Sequence, residues 1–370
     1  MERQSMLTKN GISLLLFGEN DTLIWGMPNA ERVNRLAQKL EGEVAGTLWV
    51  NLAYVFDPQW MQHIRKNPDM VLAVGGTPVL ALLSHDSDAS ALEVSNIPES
   101  LEVIEYEQAP LIHNQGLRKL ETPFVRRLTP STVKDIERLS YFGAYKGVTD
   151  LLTKYLWPEL ALVITRIAAR AGITPNMVTG VGAMGCIAAT FLFYYGYFWT
   201  GMAAGFVFMV FDTVDGKLAR CTITSSFWGN VFDHGIDLIH PPFWWVAWAL
   251  GLGTMGLALP SGQFQLVMIV ILGGYVLQRL IEGIFIRAFD QHIHVWRPVD
   301  SWFRLITARR NPNMVLLFIS MMFNRPDLGI LAVAWWTLIS LAVHMIQLLQ
   351  AALIKMRGGK IISWLESEEG

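Results

Sequence analysis

Apolar and polar positions follow two different schedules along the 370 residues. Up to about residue 130 the apolar runs are short: ISLLLF from Ile12, TLWVNLAYVF from Thr47, VLAVGG from Val71 and PVLALLS from Pro78. Between them lie helical patterns, NAERVNRLAQKL after Pro28 and WMQHIRKN from Trp60. Short apolar runs alternating with amphipathic helices predict a small α/β domain with a central sheet over residues 1–130. Gly75-Gly76 reads as a hairpin turn, Pro28 and Asn29 as a helix start, and Asp21 and Asp57 as turn or cap residues. The polar, acidic stretch 86–108 reads as loop.

Residues 131–174 have another character. Pro130-Ser131-Thr132 opens a capped, amphipathic helix running toward Lys146, and KGVTDLLTKYLWPELALVITRIAARAGITPN then mixes apolar positions at helical spacing with Lys154, Arg166 and Arg170. That mixture predicts a linker and a helix lying in a membrane interface, with Leu, Ile and Trp157 buried and the basic groups among lipid phosphates. From residue 175 the apolar runs lengthen. A segment of about 20 residues crosses a hydrocarbon core of roughly 30 Å, and about six are present: 176–196, 199–220, 226–252, 263–288, 309–323 and 328–354. The fifth is shortened by Asn311-Pro312-Asn313. The predicted fold class is therefore an all-α polytopic membrane domain at 175–357, preceded by a small α/β cytoplasmic domain and followed by a cytoplasmic tail at 358–370.

Composition sharpens this picture. Hydrophobic residues make up 52% of the chain, with 14 Trp and a mean hydropathy of +0.35, and the excess lies after Trp157. A net charge of −2 argues against nucleic acid as a partner. Two cysteines, Cys186 and Cys221, give neither a disulfide framework nor a metal knuckle. The amino terminus lacks an apolar signal-type stretch, which places the first domain in the cytoplasm. With that terminus inside, the outer links 196–199, 252–262 and 324–327 hold one Arg and one Asp, whereas Arg297, Arg304, Arg309, Arg310, Lys355, Arg357 and Lys360 fall inside. The asymmetry obeys the positive-inside rule. YYGYFW and FWWVAW are expected as interfacial aromatic belts, and His240-Pro241-Pro242 as a kink in the third span.

One run departs from its apolar surroundings: FDTVDGKLARCTITSSFWGNVFDHGIDLIH, Phe211 to His240. Asp212 and Asp215 are three apart, Asp233 and Asp237 four apart, so each pair forms a two-carboxylate ledge on one side of its own helix. Four acids so close together require either protons or a cation. Hard oxygen donors without Cys or paired His favour two ions of Mg²⁺ or Mn²⁺. Gly216, Ala219 and Gly229, each one turn from an acid, leave room for a ligand at the backbone, and Arg220 offers a planar fork for phosphate. His234 points to another helical face and is not expected as a ligand; His240 is expected to be structural. His292 and His294, two apart, do not share a helical face and are not expected to bind metal.

Asp-x-x-Asp-Gly-x-x-Ala-Arg, eight residues, then Gly-x-x-x-Asp-x-x-x-Asp, filled here by Asp212, Asp215, Gly216, Ala219, Arg220, Gly229, Asp233 and Asp237, resembles the defining motif of the CDP-alcohol phosphotransferase family of integral membrane enzymes. The resemblance implies transfer of a phosphoalcohol group from a CDP-alcohol lipid to an acceptor hydroxyl with release of CMP, in phospholipid biosynthesis, and a homodimer embedded among membrane lipids. Asp212, Asp215 and Asp233 then hold the metals. Asp237 takes the acceptor's proton and also touches the second ion. Asn176 and Thr179, on one helical face after Pro175, join Gly216, Ala219, Arg220 and Gly229 around the nucleotide. Arg279, Arg287, Arg309 and Arg310 are candidates for an acceptor phosphate, although Arg279 and Glu282, three apart, can also neutralise each other. The protein is expected in the membrane, the cell inner membrane if bacterial, with the active site facing the cytoplasm.

The amino-terminal run WVNLAYVFDPQWMQHI followed by VLAVGGTPVLALL resembles a shrunken nucleotidyltransferase. GENDTLIWG lacks the basic phosphate-cradling residues after the first strand, and Asn51 stands where a metal-binding acid is expected, so the domain reads as a catalytically silent remnant. It points to the inositol-phosphate branch of the family, whereas Asp233-His234-Gly235 also occurs in the choline and ethanolamine branch. Two other classes use intramembrane acids. A divalent-cation transporter has no need of Gly216, Ala219 and Arg220, and a Mg²⁺-dependent membrane prenyltransferase carries its acids in two distant motifs rather than one run.

Overall fold

The computed structural model describes residues 3–7, 13–40, 46–84 and 87–366. Residue 86 of the expected loop and residues 367–370 of the expected tail lie outside the described residues. Packing divides the chain into two units: Met1–Tyr145 with Thr165–Ile173 and Lys217–Ser225, and Lys146–Ile164 with Thr174–Gly216 and Ser226–Gly370.

The first unit is α/β. Its strands are β1 Arg3–Leu7, β2 Ser13–Phe17, β3 Thr47–Asn51, β4 Tyr54–Phe56, β5 Met70–Val74, β6 Thr77–Leu83, β7 Glu102–Glu105, β8 Ile112–Asn114, β9 Lys119–Glu121 and β10 Val125–Arg127. Six form one mixed sheet in the order β1-β2-β3-β6-β5-β7, with β2/β3 and β5/β7 parallel and the other neighbours antiparallel. The apolar runs are continuous because both faces are covered. Leu14, Leu16, Leu48, Val50, Leu72, Leu80 and Leu82 point to one face, against helices α1 Asn29–Ala37 and α2 Pro58–Lys66. Leu15, Trp49, Val71, Ala81 and Leu83 point to the other, against α3 Ser87–Glu93 through Ala89 and Leu92.

The local signals act as expected. Gly75 (φ 54°) and Gly76 (φ 73°) make the β5–β6 hairpin turn, a conformation favouring residues without a Cβ. Asp57 caps α2 by accepting from Gln59 N at 2.9 Å, and Pro28 precedes α1. Asn51 bonds Pro78 O and Ala53 N, a structural part consistent with the absence of an acid there. The stretch after residue 86 is corrected: it holds α3 and β7 rather than loop alone. β7 is an edge strand with its side chains partly or fully exposed, so it carries polar residues and no apolar run.

The remaining helices are α4 Val133–Gly143, α5 Leu151–Tyr155, α6 Pro158–Arg170, α7 Pro175–Tyr194, α8 Phe198–Cys221, α9 Phe227–Gly251, α10 Ser261–Met268, α11 Gly274–Phe289, α12 Pro298–Arg304, α13 Arg310–Met322 and α14 Pro326–Met356. The expected single interfacial helix is two, α5 and α6, because Pro158 starts a new one. A π turn at Ile269–Gly273 joins α10 to α11. Each of the six expected apolar segments is helical, and α9 runs through Pro241 and Pro242 without ending. Three helices among the described residues are long and apolar enough to cross a membrane: Pro175–Tyr194, Ser261–Phe289 and Pro326–Met356.

One aromatic expectation is overturned. Tyr194, Tyr195, Tyr197 and Trp199 are exposed, as a belt requires, but Trp244, Trp245 and Trp248 of FWWVAW are at most 1% exposed. Trp244 and Trp248 pack on Phe193 and donate to Cys186 O and Pro326 O, both at 3.1 Å. A buried indole needs such an acceptor, and the neighbouring helices provide it. The same contact leaves no space at Gly251, where a Cβ would stand 1.9 Å from Phe193 O. Gly251→Ala is expected to cost about 3 kcal/mol through forced separation of α7 and α9, read as a lower melting temperature; an unchanged melt would contradict this packing.

Candidate active site

The second unit brings α8 and α9 together at their acids. Oxygen atoms of Asp212, Asp233 and Asp237 lie within 4.8 Å of one another, close enough to share a cation. Helical spacing put each pair on one face, and the pairing of two helices makes one cluster of three. Asp215 takes a different part: it is buried at 3% exposure, accepts from Thr179 Oγ1 at 2.6 Å and is bonded by Gly216 N. Thr179 and Asn176 both sit on α7. Asn176 Oδ1 lies 3.2 Å from where a Cβ on Gly229 would be, so α7 places one expected nucleotide residue at each acid-bearing helix. Thr174 caps α7 and Ser226 caps α9, which fixes where both helices begin.

Arg310 is the residue whose place spacing did not reveal. From the first turn of α13 its guanidinium donates to Asp212 Oδ2 at 2.8 Å and to Asp237 Oδ1, linking the two ledges. Its Nε donates to Asn311 Oδ1 at 2.9 Å, and Asn311 Nδ2 in turn donates to Asp150 Oδ1 at 3.0 Å. Asp150, cap of α5, is thereby tied through Asn311 to the fork. The Arg304 charge and hydrogen bonds from Thr153 and Asn311 hold the Asp150 carboxyl below its ordinary range, although burial, the largest influence, pushes the other way.

The other expected acceptor residues separate. Arg279 donates to Glu282 at 2.8 Å, and Arg309 ion-pairs with the same carboxylate and reaches His294 Nε2 at 3.2 Å. Arg287 is exposed in the last turn of α11 and takes no part in that network. Glu282, His294 and His344 also bring possible ligand atoms within 4.8 Å, joining a histidine of the DQHIHVW loop to one fifty positions on. Two guanidiniums already claim that carboxylate, so the cluster reads as an ion-pair network. His234 is exposed and bonds Asn230 O at 2.9 Å; His240 bonds Ile236 O at 2.7 Å and packs edge-on against Phe208. Ala219 and Arg220, on the last turn of α8, fall in the first unit.

Residues 172–308 match the family profile described as CDP-alcohol phosphatidyltransferase. A phosphatidylinositol phosphate synthase of Streptomyces avermitilis is 36% identical over 93 residues, 24% of this chain and 38% of its own. A phosphatidylinositol phosphate synthase of Mycobacteroides abscessus is 31% identical over 119 residues, 30% of this chain and 54% of its own. Cholinephosphotransferase 1 of Gallus gallus is 31% identical over 127 residues, 31% of this chain and 36% of its own. The chain thus spans between about a third and about half of the length of these curated relatives. All eight motif positions lie inside the stretch 172–308 that matches the CDP-alcohol phosphatidyltransferase profile.

Proposed function

We propose that the protein moves a phosphoalcohol group from a CDP-alcohol to the hydroxyl of a second molecule, releasing CMP, as a step of phospholipid biosynthesis. The observation carrying this reading is the convergence of Asp212, Asp233 and Asp237 from two helices, with Asp215 held one turn away by Thr179. The donor set fits Mg²⁺ or Mn²⁺: carboxylates alone, drawn from two helices, with a guanidinium now neutralising two of them. Asp212, Asp215, Asp233 and Asp237 would hold two such ions, which when bound neutralise the diphosphate and the charge gathering on departing CMP.

This chain's own groups supply the rest. The Asp237 side chain is 45% exposed, against 28% for Asp233 and 15% for Asp212, so it is the acid an incoming hydroxyl meets and the one assigned to take its proton. Asn176, Thr179, Gly216, Ala219, Arg220 and Gly229 are assigned to the nucleotide and its phosphates. Of the arginines expected at a phosphate on the acceptor, Arg310 lies at the acids and is assigned there, whereas Arg279 and Arg309 are held by Glu282. We place six spans within a membrane domain at 175–357, an interfacial helix in 131–174, the amino-terminal domain and the acids on the cytoplasmic side, and a homodimer as the assembly. The Arg and Asp of the last outer link pair with each other, Arg325 Nε to Asp327 Oδ1 at 2.9 Å, which leaves that link neutral as this topology asks. The names of the relatives favour a phosphorylated inositol or a choline-type alcohol as one partner of the exchange.

Purified protein in lipid nanodiscs is expected to release CMP from a CDP-alcohol only with an acceptor and Mg²⁺ or Mn²⁺, tested across inositol phosphate, glycerol phosphate and diacylglycerol. Divalent flux across vesicles without CMP release would instead establish a transporter, and competition by prenyl diphosphates a prenyltransferase. Gly216→Leu is expected to raise KM for the CDP-alcohol by at least about tenfold, since a side chain there fills the approach to the acids; an unchanged KM would remove Gly216 from the nucleotide site.

A further inference from the structure

The first unit contains a cavity of about 420 Å³ that none of Asp212, Asp233 or Asp237 lines. Its wall carries three cationic side chains, Arg32 and Lys39 from the region of α1 and Arg220 from the end of α8, against one carboxylate, Asp57. Leu36 and Met61 give it an apolar flank. Arg32 is 2% exposed and its Nη2 donates to Phe56 O at 2.9 Å, while its Nε and Nη1 are buried without a hydrogen-bond partner among the described residues. Lys39 holds Ser225 Oγ at 2.7 Å, which fixes the ammonium at the wall.

Leaving two guanidinium donors unpaired inside a protein is costly, and proteins keep such groups where a partner arrives. Asp57 is a poor candidate for that partner: its Oδ1 accepts from Gln59 N, and burial pushes its carboxyl upward from its ordinary value. Burial also pulls Arg32 down to about 10, so the guanidinium stays charged at neutral pH. Arg32 and Lys39 thus outnumber the one carboxylate of the wall, which suits an anionic ligand. The size suits a metabolite with one organic moiety, since small-molecule pockets run from about 300 to 1,000 Å³, and the Leu36 and Met61 side favours a carbon body over a bare ion.

We infer that this cavity is a binding site for a small organic phosphate, with Arg32 and Lys39 receiving the phosphate and the apolar flank its body. The site is separate from the acid cluster, and the inference does not depend on the transfer reaction proposed for that cluster. No chemistry is assigned to it: the inference is of binding alone.

The test is calorimetric titration of the full-length protein in nanodiscs with EDTA present, so that the acid cluster has no divalent ion to bind phosphates. The ligands are CMP, glycerol 3-phosphate and inorganic phosphate, with cytidine as the uncharged control. One phosphate ester is expected to saturate at one per chain, with inorganic phosphate weaker and cytidine silent. Arg32→Met and Gln62→Trp, the latter filling the cavity from a half-buried position, are each expected to weaken binding at least about tenfold. Should Arg32→Met fail to fold, Gln62→Trp decides alone. Absence of binding by every phosphate, equal affinity for inorganic phosphate and the esters, or affinity unchanged in Gln62→Trp would each overturn the inference.

Discussion

Asp237→Asn is expected to lower turnover by about 10² to 10⁴-fold while CDP-alcohol affinity changes little. The amide keeps the volume and one oxygen of the carboxylate but cannot accept a proton from the attacking hydroxyl. The exposure gradient across the acids makes the assignment specific. Asp215, buried and held by Thr179 and Gly216 N, has no open side for an acceptor, and the Asp212 side chain is three times less exposed than that of Asp237 (15% against 45%). Substitution at Asp215 is therefore expected to act on nucleotide and metal binding together, since it removes the tie to Thr179 on α7, whose hydroxyl keeps only Pro175 O among the described residues. The pair separates chemistry from binding: kcat falls at Asp237 with KM held, and both change at Asp215. CMP release under saturating CDP-alcohol, with affinity measured in parallel, reads the difference. Near-normal turnover in Asp237→Asn would remove the base and leave Asp237 a metal ligand alone.

What spacing reveals and what it hides follow from the range of the contacts. The Gly75-Gly76 turn, the Asp57 cap and the starts of α1 and α7 are decided within a few residues, and each is where the chain pattern puts it. The two acid ledges are likewise local, because three- and four-residue steps fix a helical face. α3 escaped because it is short and polar on its outer side. Yet the unbroken apolar runs of β2, β3 and β6 already demanded cover on a second face, and that demand was the available signal. FWWVAW is ambiguous in isolation, since a belt and a helix contact use the same residues; Phe193, about fifty positions earlier, settles it. Arg310 stands 98 residues from Asp212 and 73 from Asp237, so no motif connects them. Its only local sign was a charged fork at the start of an apolar helix that also carries Asn311.

Arg310→Met is expected to lower the melting temperature of metal-free protein and to enlarge the gain in melting temperature that Mg²⁺ or Mn²⁺ brings. In the structure the guanidinium is the cation that balances Asp212 and Asp237, and a metal has to compete with it for the same oxygens. Removing the fork leaves two acids facing each other without compensation, at a cost of about 2 to 3 kcal/mol once the exposure of Asp237 is allowed for. A divalent ion bound by the folded state alone then recovers more in the variant than in the parent, because the competing charge is gone. Asn311→Ala provides the graded case: it keeps the guanidinium but releases its Nε and the Asp150 contact, so its metal-free melt falls between the two. If the gain with Mg²⁺ is equal in parent and Arg310→Met, the ions do not meet the oxygens that Arg310 holds, and the cluster of Asp212, Asp233 and Asp237 is not where the metal binds.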